Sequence, residues 1–143
     1  MPEKKIVINT GPILALVAAC GDLKLLDNLY TTVYVPQEVA KEITANGVNR
    51  FAAAEFAAAT WLHKWSTEVH PGNFLRNSLD RGEASVIQLA LQEQIELVCI
   101  DEAVGRRVAR LNGLKLTGSV GILLRAKKDF FFYDSANHLL HYQ

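Results

Sequence analysis

Hydrophobic and polar positions come in short blocks along this chain, and the blocks predict an ordered series of strands and helices. Lys5-Ile6-Val7-Ile8-Asn9 is a β-branched run of the kind a buried strand needs, and Thr10-Gly11-Pro12 breaks it. Ile13 to Ala19 predicts a compact helix closed by Gly21. Asp22 is placed to cap a second helix, in which Leu23, Leu26 and Leu29 recur at helical spacing. Thr32-Val33-Tyr34-Val35 reads as the second strand, and Pro36 opens a helix that runs through Ile43 and ends at Asn46-Gly47. The alanine-rich, amphipathic stretch from Phe51 to Ala59 predicts another helix. Trp61 to Val69 fits either an edge strand or an irregular link, and His70-Pro71-Gly72-Asn73 a loop. A clear helix starts at Asp80-Arg81-Gly82-Glu83, with Ala84, Val86, Ile87, Ala90 and Leu91 facing inward. Then come a strand from Glu96 to Ile100 ended by Asp101, a helix up to Asn112-Gly113, a strand at Lys115-Leu116-Thr117 and a helix from Ser119 to Lys128. The tail carries Phe130-Phe131-Phe132 and a last helical segment near Asp134 to His141. Such alternation predicts an α/β fold: a mainly parallel central sheet covered on both faces, a three-layer α/β/α sandwich.

Composition narrows this picture without changing it. The chain has 143 residues, of which 50% are hydrophobic, so residues 1–143 are expected to form a single domain with a real core. Lysine plus arginine number 15 and aspartate plus glutamate 15, which gives no global attraction to nucleic acid or membrane; a nucleic-acid partner needs a local basic patch. Cys20 and Cys99 form no CxxC pair and no zinc spacing, and Cys99 lies in an apolar run. The longest apolar run, Ile13 to Cys20, is too short to span a bilayer, and the N-terminus lacks the apolar stretch of a signal peptide. These features predict a reducing, cytoplasmic setting with no membrane partner.

In an open parallel sheet, ligands sit beyond the carboxyl ends of the strands, near the point where strand order reverses. Asn9, Asp101 and Thr117 fall at three such ends. Glu42 follows the second strand, and Glu83 lies in the first turn of the helix before the third.

At these positions the sequence resembles the PIN-like domain family, most closely its small prokaryotic branch. Ile6-Val7-Ile8-Asn9-Thr10-Gly11-Pro12-Ile13-Leu14-Ala15-Leu16 resembles the family's opening strand and turn, and Val35-Pro36-Gln37-Glu38-Val39-Ala40-Lys41-Glu42-Ile43 its next block. Leu79-Asp80-Arg81-Gly82-Glu83-Ala84, Ile100-Asp101-Glu102-Ala103-Val104-Gly105-Arg106-Arg107-Val108-Ala109 and Leu114-Lys115-Leu116-Thr117-Gly118-Ser119-Val120-Gly121-Ile122-Leu123-Leu124 resemble the remaining three, in order. The resemblance implies a divalent-metal endoribonuclease using Mg²⁺ or Mn²⁺, with Asn9, Glu42, Glu83 and Asp101 as catalytic and metal-binding residues. It also implies an RNA substrate, an antitoxin protein as partner in a toxin–antitoxin pair, and a homodimer. Carboxylates suit that chemistry because hard cations take oxygen ligands and offset the repulsion of crowded acids. Asn9 departs from the aspartate typical of the nucleases: its carbonyl can ligate a metal but supplies no charge.

Each of these residues also has a plainer role. Asp101 has the position of an N-cap for the helix after it, and Asp80 with Glu83 has the spacing of a capping box. Glu38 and Glu42 share a helix face; periodicity does not choose between them, and the family pattern selects Glu42. Glu102 either supplements Asp101 or complements a helix dipole. Thr10, Thr117 and Ser119 are expected either to contact a phosphate or to serve as turn and cap residues. Arg106, Arg107 and Arg110 lie on one helix, and Arg106 and Arg110 share a face suited to flanking phosphates; a solvated surface is the simpler account. Trp61 and Trp65 fit packing better than base stacking. The helix from Phe51 to Ala59 and the two tryptophans are expected to supply a dimer contact. The competing reading is a catalytically weak or inactive PIN-like nucleic-acid-binding or assembly module. A phosphatase with an aspartate nucleophile after the first strand is disfavoured by Asn9, and no GxxxxGK[ST] or GxGxxG fingerprint is present.

Overall fold

The structure, a computed structural model, describes residues 4–45 and 51–129. In chain order its elements are β1 (Lys5–Ile8), α1 (Thr10–Cys20), α2 (Lys24–Leu29), β2 (Thr32–Val35), α3 (Gln37–Thr44), α4 (Ala53–Ala58), β3 (His63–Lys64), α5 (Asn73–Ser78), α6 (Arg81–Gln92), β4 (Leu97–Cys99), α7 (Ala103–Leu111) and β5 (Lys115–Thr117). A further helix, α8, spans 119–129. The tail expected to be helical near Asp134 to His141, with Phe130 to Phe132, lies outside the described residues, as does the Asn46-Gly47 helix end.

The five strands form one all-parallel sheet in the order β3-β2-β1-β4-β5. Helices cover both faces, giving a three-layer α/β/α sandwich. Ile6, Val7 and Ile8 of β1 are all fully buried, as a central strand covered on both faces requires. Each such side chain contributes roughly 2 kcal/mol of burial. The edge strands are short, and β3 has only His63–Lys64, so little unpaired backbone faces solvent. The stretch after Trp61 is therefore an edge strand that continues into a link.

The chain turns back on itself at β1. One neighbour, β2, leads to β3, and the other, β4, leads to β5. The reversal places the crevice beyond Ile8 and Cys99, the paired ends of β1 and β4. Asn9 and Asp101 enter that crevice directly after the strand ends.

Three local details differ from the sequence expectation. Thr10-Gly11-Pro12 does not separate strand from helix; it forms the first turn of α1, with Asn9 as N-cap. Proline is tolerated there because first-turn N–H groups have no intrahelical partner. Residues Asn73–Ser78 form α5, which a short polar sequence without clear apolar periodicity conceals. The mainly parallel sheet is parallel throughout. Gly21 does close α1, in a left-handed conformation (φ 82°) with its N–H donating to the Val17 carbonyl. Asp22 Oδ1 accepts from Lys24 N–H at the start of α2.

Candidate metal centre

Asn9 caps α1 through its backbone, and its side chain makes no cap hydrogen bond. The amide is 8% exposed and stays free for the crevice. It meets Glu42 over Gly82: a Cβ built on that glycine would lie 2.7 Å from Glu42 Oε1 and 3.2 Å from Asn9 Oδ1. Glycine here lets Asn9, before α1, and Glu42, on α3, both approach the α6 backbone closely.

The next residue, Glu83, is held in the first turn of α6 and is 4% exposed. Asp80 Oδ1 accepts from Glu83 N–H at 2.8 Å, so the N-cap half of the expected capping box is present. The Glu83 carboxylate has a second relation as well. It abuts Gly105 of α7, whose absent Cβ would collide with Oε2, and that oxygen is buried without a hydrogen-bond partner. Ligand oxygens of Asp80, Glu83 and Glu102 all lie within 4.8 Å of one another. Glu102 is the N-cap of α7 and makes no side-chain cap bond. Burial, reinforced by hydrogen bonding and repulsion from Asp80 and Glu102, pushes Glu83 from its ordinary 4.5 up to about 8.

Asp101 has a different setting from the one its sequence position suggests. It does not cap α7. Its Oδ1 accepts from Ser119 N–H at 2.7 Å and its Oδ2 from the Ser119 hydroxyl at 2.9 Å, at the start of α8. The cause is the pairing of β4 with β5: Cys99 lies opposite Thr117, and Ile100 N–H donates to the Thr117 carbonyl. The two strand ends therefore set Asp101 beside Gly118, whose Cβ would lie 2.8 Å from Asp101 Oδ1 and 3.1 Å from Arg106 Nη1. Arg106 Nη1 itself donates to the Ile100 carbonyl at 2.8 Å, which commits part of its guanidinium to the fold. Arg106, Arg107 and Arg110 line a cleft of about 580 Å³ with Asp101.

The expected residues thus fall into separate local contacts rather than a single ligand sphere. Asn9 and Glu42 meet at Gly82; Glu83 meets Asp80 and Glu102 beside Gly105; Asp101 and Arg106 meet at Gly118. Glu42 and Asp101 stand outside the tight acidic group. From sequence, Asp80 has only a capping role and Glu102 stands between two roles. Their signal was the i, i+3 spacing of Asp80 and Glu83 and the adjacency of Glu102 to Asp101. Glu42 is exposed at Gly82 and Glu38 is buried one turn earlier on α3, and neither belongs to the tight acidic group. The Thr10 hydroxyl is buried without a partner, and the Thr117 hydroxyl, packed against Gly121, makes a 3.4 Å bond to the Gly118 carbonyl. Cys99 is a buried free thiol, pushed up by burial and by the charge of Asp101.

An all-oxygen donor set around a buried, unpartnered carboxylate oxygen fits a hard divalent cation, whose charge offsets the crowding of three acids. The fold and this acidic crevice define the class: an α/β/α domain of nuclease type with a potential divalent-metal site. A family model described as a PIN domain matches residues 5–142, and the chain belongs to the PIN domain family. No curated protein matches the sequence. Among the described residues, no helix is long and apolar enough to cross a membrane.

Proposed function

We propose that this PIN domain is a divalent-metal-dependent endoribonuclease, working with Mg²⁺ or Mn²⁺. The observation that carries this reading is Glu83, a buried carboxylate with an unpartnered oxygen, crowded by Asp80 and Glu102. Glu83 is the central ligand. Glu102 and Asp80 share the cation's charge, and Asn9 and Glu42 lie at the neighbouring Gly82, where they orient water or bind directly. When bound, the metal neutralises charge developing on the phosphate and lowers the pKa of a ligated water. Asp101 is held by Ser119 with its charge at the mouth of the crevice. Arg107 and Arg110, with the free part of Arg106, hold RNA phosphates flanking the scissile one.

In the fuller form of this reading the protein is a cytoplasmic toxin, restrained by an antitoxin protein and assembled as a homodimer. Cleavage of a panel of RNAs by purified protein in Mn²⁺ tests the activity. Cleavage is expected to stop with a chelator and to fall at least about a hundredfold in Glu83→Gln, as for loss of a metal ligand. Intact RNA with the wild type overturns the nuclease reading. Asn9 favours the second reading, a catalytically weak or inactive nucleic-acid-binding or assembly module, because an amide removes one negative charge from the site. That reading expects RNA binding without chelator-sensitive cleavage.

A further inference from the structure

A second polar site lies one helical turn from the crevice. Glu38 precedes Glu42 by about one turn of α3, about 6 Å along the helix. Its side chain is 7% exposed, its Oε2 is buried without a partner, and it lines a cleft of about 450 Å³. Val69, Leu79 and Ala84 supply apolar wall, and Arg76 and Arg81 line the same cleft. Arg81 and Ala84 of α6 stand on either side of Gly82 and Glu83 in sequence. Arg76 spends one nitrogen on Asn73 Oδ1 at 2.8 Å and keeps its other donors.

The chemistry asked of an occupant is specific. An ionised carboxylate only accepts, so the ligand must bring donors to Glu38. The apolar walls suit a flat ring, and the two guanidinium groups suit a phosphate. A cationic side chain inserted from another protein would meet Arg76 and Arg81, and Glu68 on the same cleft with Glu38 gives no excess of acid over arginine to hold it. We propose that this cleft is a nucleobase pocket that selects guanine in single-stranded RNA, a specificity that rests on the nuclease reading above. Guanine alone among the RNA bases presents two adjacent N–H donors, N1–H and the N2 amine, to match both oxygens of one carboxylate. Adenine and cytosine set a ring-nitrogen acceptor beside their amine, and uracil flanks its single N–H with carbonyls.

The test is titration of the full chain with the 5′-monophosphates of guanosine, adenosine, cytidine, uridine and inosine, followed by NMR, with a chelator present. GMP is expected to bind at least about tenfold more tightly than AMP, CMP or UMP, in line with one bidentate base contact. IMP, which keeps N1–H and lacks the amine, is expected to fall between. Glu38→Gln should erase the preference for GMP, and Arg76→Ala should weaken all five nucleotides alike. Equal binding of the nucleotides, absence of any binding, or an unchanged ranking in Glu38→Gln overturns the pocket. So does tighter binding of arginine amide than of GMP. The IMP comparison needs only the wild type, so it decides even if Glu38→Gln does not fold. No metal or turnover enters this measurement: intact RNA in Mn²⁺ removes the nuclease reading alone, and loss of guanine preference removes the pocket alone.

Discussion

Burying a carboxylate with one oxygen unpaired costs about 1–3 kcal/mol or more, and Glu83 carries that cost beside two further acids. Its raised pKa fixes a pH dependence. Between its ordinary 4.5 and about 8, the folded chain binds a proton at Glu83 that the unfolded chain has released. Stability of the metal-free protein should therefore fall as pH rises through that window. Urea unfolding at a series of pH values, with chelator, should show the fall in wild type and a flatter profile in Glu83→Gln. A slope that survives in Glu83→Gln would assign the titration to another group. Added Mn²⁺ should expel the proton and restore stability at the upper end of the window. Glycine sets the geometry around this residue. A methyl group at Gly105 would meet Glu83 Oε2 and, at 2.9 Å, Ile100 Cγ2, so both the Glu83 side chain and the core would have to shift. At Gly82 the obstacle is the far end of the Glu42 side chain, which can move.

At the scale of elements, Asp101 joins β4 to the start of α8. Its carboxylate accepts two hydrogen bonds from Ser119 and sits where a helix N-terminus favours negative charge. Asp101→Ala should therefore destabilise the metal-free protein by about 1–2 kcal/mol, the size of a lost N-terminal cap. Thermal melts in chelator measure this, and an unchanged Tm would show that the Ser119 contact contributes nothing. Loss of RNA cleavage in Asp101→Ala would thus mix a structural with a chemical effect, which makes Glu83→Gln the cleaner variant. This contact also marks the limit of what could be read from the chain. The order of strands and helices was legible because β-branched runs and 3.6-residue periodicity are local. That Asp101 serves α8 and not α7 depends on which strands are neighbours, and no local pattern encodes it. The same holds for Glu38 and Glu42: one helix face in sequence becomes two separate sites once α6 packs against α3. Helix α5 escaped notice because six residues with one buried side chain, Leu75, leave no period to detect.

For the whole molecule, the reversal of strand order at β1 and β4 gathers groups from α1, α3, α6 and α7 at one end of the sheet. Such a site trades stability against charge: each added carboxylate raises the cost of the empty crevice and the affinity for a cation. Asn9 lies on the stable side of that trade. It is nearly buried, its Oδ1 faces the same glycine as Glu42 Oε1, and its amide adds no repulsion. Asn9→Asp should move the balance. In chelator the variant should melt below wild type, since a fifth acid joins Glu42, Asp80, Glu83 and Glu102. In Mn²⁺ the order should reverse or the gap should close, and calorimetry should show tighter metal binding than wild type. If RNA cleavage rises with affinity, the crevice is a complete nuclease site short of one charge. If affinity rises and RNA stays intact, the crevice holds metal without performing the chemistry, and the assembly-module reading stands. If Mn²⁺ stabilises neither protein, the acids of this crevice do not form a metal centre.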